Sequence, residues 1–79
     1  MKILLSGLQQ DFDLETLRER MTKFGPVLDV QVVRDGDPEQ PWAIVDMDLG
    51  AAGATRVARR IDGIYYIDRF IHARVMLHD

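Results

Sequence analysis

Apolar and polar residues alternate along four stretches of the chain, and apolar residues recur at helical spacing along two more. Alternation with a period of two is typical of a strand that buries one face. Recurrence every three or four residues is typical of a helix that buries one side. The pattern therefore predicts strands over residues 3–8, 27–34, 42–49 and 71–77, and helices over residues 14–24 and 51–61.

The first predicted helix has the clearest boundaries. Asp13 precedes it and is a good N-cap, because its carboxylate can accept hydrogen bonds from the first backbone amides. Phe12 and Leu17 are spaced for a hydrophobic staple. Gly25 and Pro26 mark the end, since glycine favours a helix terminus and proline cannot continue a helix. The side that faces the core carries Leu14, Leu17, Met21 and Phe24.

The same spacing assigns buried and open positions in the other elements. The residues predicted to face the core are Ile3, Leu5 and Leu8 in the first strand, Ala43, Val45 and Met47 in the third, and Ala54, Val57, Ala58 and Ile61 in the second helix. Leu4, Ser6, Trp42, Ile44 and Asp46 then face the opposite side of the sheet. Turns are predicted at residues 35–38 and 68–69, with a short hairpin arm over residues 64–67.

The element order is β-α-β-β-α-β, in a single domain that spans residues 1–79. This order predicts a ferredoxin-like α+β fold, with two helices packed on one face of a four-stranded antiparallel sheet. The other face is left open. Amino-acid-sensing regulatory domains, heavy-metal carriers and acylphosphatases share this plan, so the fold alone does not select a function.

Composition excludes several kinds of chemistry. The 79 residues include no cysteine, so a disulfide or a cysteine-based zinc site is impossible. The histidines, His72 and His78, are too few to form a metal site alone. No nucleophile stands in a recognisable pattern with a base. We therefore expect neither an enzyme nor a bound metal or cofactor.

The apolar segments are short. None approaches the roughly 18 residues that a membrane span requires. The apolar N-terminus is followed at once by Asp11 and Asp13, which does not fit a signal peptide. We therefore expect no membrane association and a cytoplasmic location.

Several segments resemble those of a known family. Residues 17–27 contain a leucine-rich helical turn that closes on Phe24-Gly25 and an aliphatic residue. Residues 3–8 are similar to a first-strand hexamer, and residues 40–47 fall where a third-strand octamer belongs. In these features the chain resembles the RNA recognition motif over essentially its whole length. The resemblance implies a domain whose open sheet face binds single-stranded RNA.

The positions on which that family stacks RNA bases are mostly aliphatic in this chain. The resemblance assigns them to Leu4, Trp42 and Ile44, so only one ring is kept. Gln40 and Pro41 replace the leading basic residue and the glycine of the octamer. The net charge is −3, which is unfavourable for binding phosphates. The loop before the octamer is also acidic and contains Asp35, Asp37 and Glu39.

The function that the resemblance implies is weak binding of single-stranded RNA. The family's strand pairing implies that Leu4 lies beside Ile44, Ser6 beside Trp42, and Lys2 beside Asp46. The expected RNA-binding residues are Leu4, Ser6, Gln31, Val33, Trp42, Ile44, His72 and Arg74. The alternative is a protein-interaction or homodimerisation module that uses the apolar residues Leu4, Val33, Trp42 and Ile44. A third hypothesis, an amino-acid-sensing regulatory domain, is supported only by Gly7.

Overall fold

The computed structural model describes residues 1–34, 40–66 and 69–76. The elements are β1 (Lys2–Ser6), α1 (Leu14–Thr22), β2 (Val27–Val33), β3 (Trp42–Met47), α2 (Ala51–Ile61), β4 (Ile64–Tyr66) and β5 (Arg69–Met76). The strands pair antiparallel in the order β2-β3-β1-β5-β4. In this part of the chain, no helix is long and apolar enough to cross a membrane. The predicted turn at 35–38, its acidic side chains, Ile67, Asp68, Leu77 and His78 lie outside the described residues.

The core lies between the sheet and the two helices, and it confirms the predicted inward positions. The inward side chains of the first and third strands are at most 1% exposed: Ile3, Leu5, Ala43, Val45 and Met47. The helices bury Leu17, Met21, Ala54, Val57, Ala58 and Ile61 against them. Leu14 and Phe24 pack at the margin of this core and are partly buried.

The start of α1 has the predicted cap. One carboxylate oxygen of Asp13 accepts from the backbone amide of Glu15 at 3.1 Å, and the other accepts from the Thr16 hydroxyl at 2.8 Å. At the other end, α1 stops at Thr22 rather than at Phe24. The backbone amides of Lys23 and Phe24 bond to carbonyls three residues back, at 3.3 and 3.0 Å, which tightens the final turn.

The sheet differs from the prediction in the number of its strands and in several strand ends. The described sheet has five strands rather than four, because Ile64 pairs with Ile71 and Tyr65 with Phe70. Arg69 accordingly begins β5 instead of lying in a turn. The first strand ends at Ser6 rather than Leu8 because Gly7 takes a φ of 83°, which turns the chain out of the sheet. Leu8 is still buried, as predicted.

Candidate nucleic-acid interface

The open face of the sheet carries side chains in rows that run across neighbouring strands. The middle row consists of Gln31, Ile44, Leu4 and Arg74, each opposite the next in the strand register. Opposite residues in antiparallel strands have Cβ atoms about 4.5–5.5 Å apart. These four side chains therefore form a continuous strip, and the predicted pairing of Leu4 with Ile44 is confirmed.

A second row, the Trp42 row, runs beside the middle row. Val33 pairs with Trp42 at one side, and Ser6 pairs with His72 at the other. The register of β1 with β3 pairs Leu5 with Ala43. The next position in the same register places Ser6 beside Trp42. The strand alternation thus brings the tryptophan and the histidine into one row.

The third row, the acidic row, lies on the other side of the middle row. It consists of Asp29, Asp46, Lys2 and Met76, and it confirms the predicted pairing of Lys2 with Asp46. A carboxylate oxygen of Asp46 lies 3.7 Å from the terminal ammonium of Met1. The two carboxylates of this row belong to β2 and β3, and the cations of Lys2 and the N-terminus lie beside Asp46, so the excess of negative charge is at Asp29 on the β2 edge.

A shallow groove of about 550 Å³ crosses the other half of the open face. It is lined by Leu4, Ser6, Trp42, Asp62, His72, Ala73 and Arg74. Trp42 is 46% exposed, whereas Leu4, Val33 and Ile44 are half-buried by their neighbours. Among the described apolar residues of the middle and Trp42 rows, Trp42 therefore has the largest exposed side-chain surface that a ligand could contact.

The ionisable groups of the groove are the side chains of Asp62, His72 and Arg74. Nδ1 of His72 lies 3.4 Å from a carboxylate oxygen of Asp62, and that oxygen also accepts from the backbone amide of Ala73 at 3.1 Å. Asp62 is thereby held at the groove wall. Arg74 is exposed and forms no ion pair with the other described residues, so its guanidinium can meet an anion over the groove.

Several other arginines lie away from the open face. Arg34 donates to the carbonyl oxygen of Gln10 at 2.9 Å, and the Arg60 guanidinium lies 5.5 Å from the ring centre of Phe24. Arg56 and Arg59 occupy the exposed side of α2. Within the residues that the structure describes, no cluster of three or more His, Asp or Glu side chains could hold a metal ion.

Comparison with known proteins identifies the family. A family model described as the RNA recognition motif matches residues 3–72. The chain belongs to the RNA recognition motif family. This confirms the resemblance found in the sequence and the ferredoxin-like fold. No curated protein matches the chain.

Solved structures of RNA recognition motifs share the fold at low sequence identity. The Rna15 domain with bound RNA (GU) is 15% identical, with a TM-score of 0.79 over 98% of this chain and 83% of that chain. The RNA-binding protein PG1 is 18% identical, with a TM-score of 0.81 over 100% and 96%. The Sex-lethal domains from Drosophila melanogaster are 19% identical, with a TM-score of 0.75 over 91% and 46%. These likenesses show the fold.

The structure brings the residues that were expected to bind RNA onto one face of the sheet. Leu4, Ser6, Trp42, His72 and Arg74 line the groove, and Gln31, Val33 and Ile44 lie beside it in the same two rows. Their role in binding RNA stays a prediction. The two aliphatic stacking positions, Leu4 and Ile44, are opposite one another and half-buried, so they offer less surface than rings would.

The sequence analysis missed a pair of aromatic rings on the β4–β5 hairpin. Tyr65 and Phe70 are opposite residues, each 60% exposed, with ring centres 5.1 Å apart and ring planes inclined by 59°. The hairpin arm was predicted without assigning its side chains to a face. The strand alternation of residues 70–72 could have revealed one of the rings. Because Ile71 faces the core, Phe70 and His72 on either side of it face the open side of the sheet.

Proposed function

We propose that this RNA recognition motif binds single-stranded RNA weakly across its open sheet face, with Trp42 as the principal stacking platform. The observation that carries the proposal is the groove in which the exposed indole of Trp42 lies near Arg74 and His72. An indole stacks on any base, and a neighbouring guanidinium can bind the phosphate. The Rna15 domain, whose structure contains RNA, has the same fold.

The weak affinity in this proposal follows from the two missing rings. Each stacked base contributes about 1–3 kcal/mol, so losing the platforms at Leu4 and Ile44 costs roughly 30-fold or more in affinity. Asp29 adds repulsion at the β2 edge of the face. We therefore expect the RNA to lie over the groove between Trp42 and Arg74 rather than over Asp29.

Direct binding measurements test this proposal. Fluorescence anisotropy of labelled, pooled short RNAs at low salt gives the dissociation constant of the natural chain and of Trp42→Ala. Loss of one stacked base predicts binding about 5- to 150-fold weaker for Trp42→Ala and an intermediate value for Trp42→Phe.

The matched control is Ile64→Ala. Ile64 is an apolar side chain, 40% exposed, that pairs with the core-facing Ile71 and therefore lies on the helix side of the sheet. Its removal should leave RNA binding unchanged. Equal affinities for Trp42→Ala and the natural chain would show that the proposal is wrong.

A second candidate is a protein-interaction or homodimerisation module on the same face. Its support is the aliphatic character of the two central rows, where Leu4, Val33 and Ile44 adjoin Trp42, together with the net charge of −3. Sedimentation equilibrium at high protein concentration tests the homodimer, and a monomer there rejects it. If a dimer forms, Leu4→Lys with Ile44→Lys should dissociate it without unfolding the domain.

A further inference from the structure

The aromatic pair formed by Tyr65 and Phe70 has no role in the groove described above. The two rings touch each other in a tilted arrangement, yet each side chain keeps 60% of its surface exposed. Leaving two neighbouring aromatic rings in water gives up the burial that normally stabilises such side chains. Exposed aromatic rings that cluster in this way indicate a binding surface.

The pair lies on the same side of the sheet as the groove. Ile71 is 5% exposed and points into the core, so Phe70 and His72 on either side of it point to the open face. His72 lies in the Trp42 row, two strands from Trp42. With strands about 4.8 Å apart and residues about 3.3 Å apart, the Cα atoms of Phe70 and Trp42 are separated by about 12 Å.

The β4–β5 hairpin therefore extends the open face past the end of β1. Pairing between β1 and β5 stops at Ser6 and His72, whereas Phe70 pairs with Tyr65 of β4. A strand of RNA that stacks on Trp42 and passes over His72 comes next to the aromatic pair. Arg74 lies beside this path. Asp29 lies on the far side of the middle row, where its carboxylate disfavours an RNA strand that runs away from the hairpin.

We propose that Tyr65 and Phe70 form a second stacking platform, which takes a base of the same RNA strand beyond the one on Trp42. This inference rests on the proposed function. RNA is the occupant that the charges favour, because the carboxylate of Asp62 is held by His72 and the backbone amide of Ala73, and the cation Arg74 lines the groove that contains Trp42. Stacking on such a platform tolerates any base sequence.

A length series of RNAs tests the second platform. Pooled dinucleotides are too short to cover both Trp42 and the aromatic pair about 12 Å away, whereas oligonucleotides of about ten nucleotides should reach both platforms. The emission of Trp42, the single tryptophan of the chain, reports the first site in both cases. The variant is Tyr65→Leu with Phe70→Leu, which removes the rings and keeps apolar side chains. Tyr65→Phe with Phe70→Tyr is the matched control that keeps both rings.

The expected result is a loss confined to the long RNA. The leucine variant should bind the long oligonucleotides about 5- to 150-fold more weakly and the short ones with unchanged affinity. The ring-keeping control should bind both like the natural chain. In the natural chain, the backbone amide signals of Tyr65 and Phe70 should shift in NMR spectra with long RNA only, a readout that needs no substitution.

The outcomes separate the two proposals. If Trp42 responds to RNA while the leucine variant binds long RNA normally and the amides of Tyr65 and Phe70 stay in place, the second platform is rejected and the proposed function stands. If Trp42 responds to no RNA but the hairpin amides shift, the hairpin binds RNA and the proposed role of Trp42 is wrong. If neither responds, both proposals are overturned.

Discussion

Replacing Gly7 by alanine tests how closely the first strand and the last strand approach each other. Gly7 has a φ of 83°, a conformation that residues with a Cβ atom rarely adopt. A Cβ atom at this position would lie 2.3 Å from the carbonyl oxygen of Phe70 and 3.4 Å from the Cα atom of Ile71. The methyl group therefore meets backbone rather than a side chain that could rotate away.

Two separate costs add up for Gly7→Ala. The left-handed backbone costs about 1–2 kcal/mol for a residue with a Cβ atom. The contact with the Phe70 carbonyl can be relieved only by moving β5, which also carries His72 and Arg74. We expect a total loss of about 3 kcal/mol or more, against a total stability of about 4–12 kcal/mol for a chain of 79 residues.

Gly63→Ala provides the matched control. Gly63 has a similar φ of 86°, but a Cβ atom there would have no heavy atom within 4 Å. This variant should lose only the backbone cost of about 1–2 kcal/mol. Urea denaturation, followed by circular dichroism and by Trp42 emission, measures both free energies of unfolding. Equal losses for the two variants would refute the close approach of Gly7 to β5.

Three further substitutions test the core, the helix cap and the groove. Leu5→Ala should lower the free energy of unfolding by about 2–5 kcal/mol, because Leu5 is 1% exposed and its removal leaves a cavity; urea denaturation measures the loss. Asp13→Ala should cost about 1 kcal/mol in the same assay, while Asp13→Asn keeps a cap and should cost less. Arg74→Ala should weaken RNA binding and reduce the dependence of log affinity on log salt by about one, whereas Lys23→Ala, at the end of α1, should not.

Much of the open face could be predicted because strands obey a strict period of two. Once Val45 is buried, Ile44 must face the other way, and the family's pairing then sets Leu4 opposite it. The start of α1 could be predicted equally well, because the capping role of Asp13 depends on residues within one helical turn. Both signals are local, so a single sequence contains them.

The rest depends on which strands pair and on how side chains of neighbouring strands cover each other. The three-residue strand β4 exists because Ile64 and Tyr65 pair with β5, and the sequence of residues 64–66 alone does not distinguish a strand from an arm. The half-burial of Leu4 and Ile44 likewise results from neighbours on adjacent strands. For the same reason the sequence analysis overlooked the ring pair of Tyr65 and Phe70, which the pairing brings together.

An NMR titration of the isotope-labelled domain with pooled short RNAs at low salt tests the central claim most directly. We expect the indole signal of Trp42 and the backbone amides of Leu4 and Arg74 to shift in proportion to bound RNA, while the amides of α1 stay in place. A Trp42 indole and sheet-face amides that do not move, or shifts confined to the helices, would contradict RNA binding on this face.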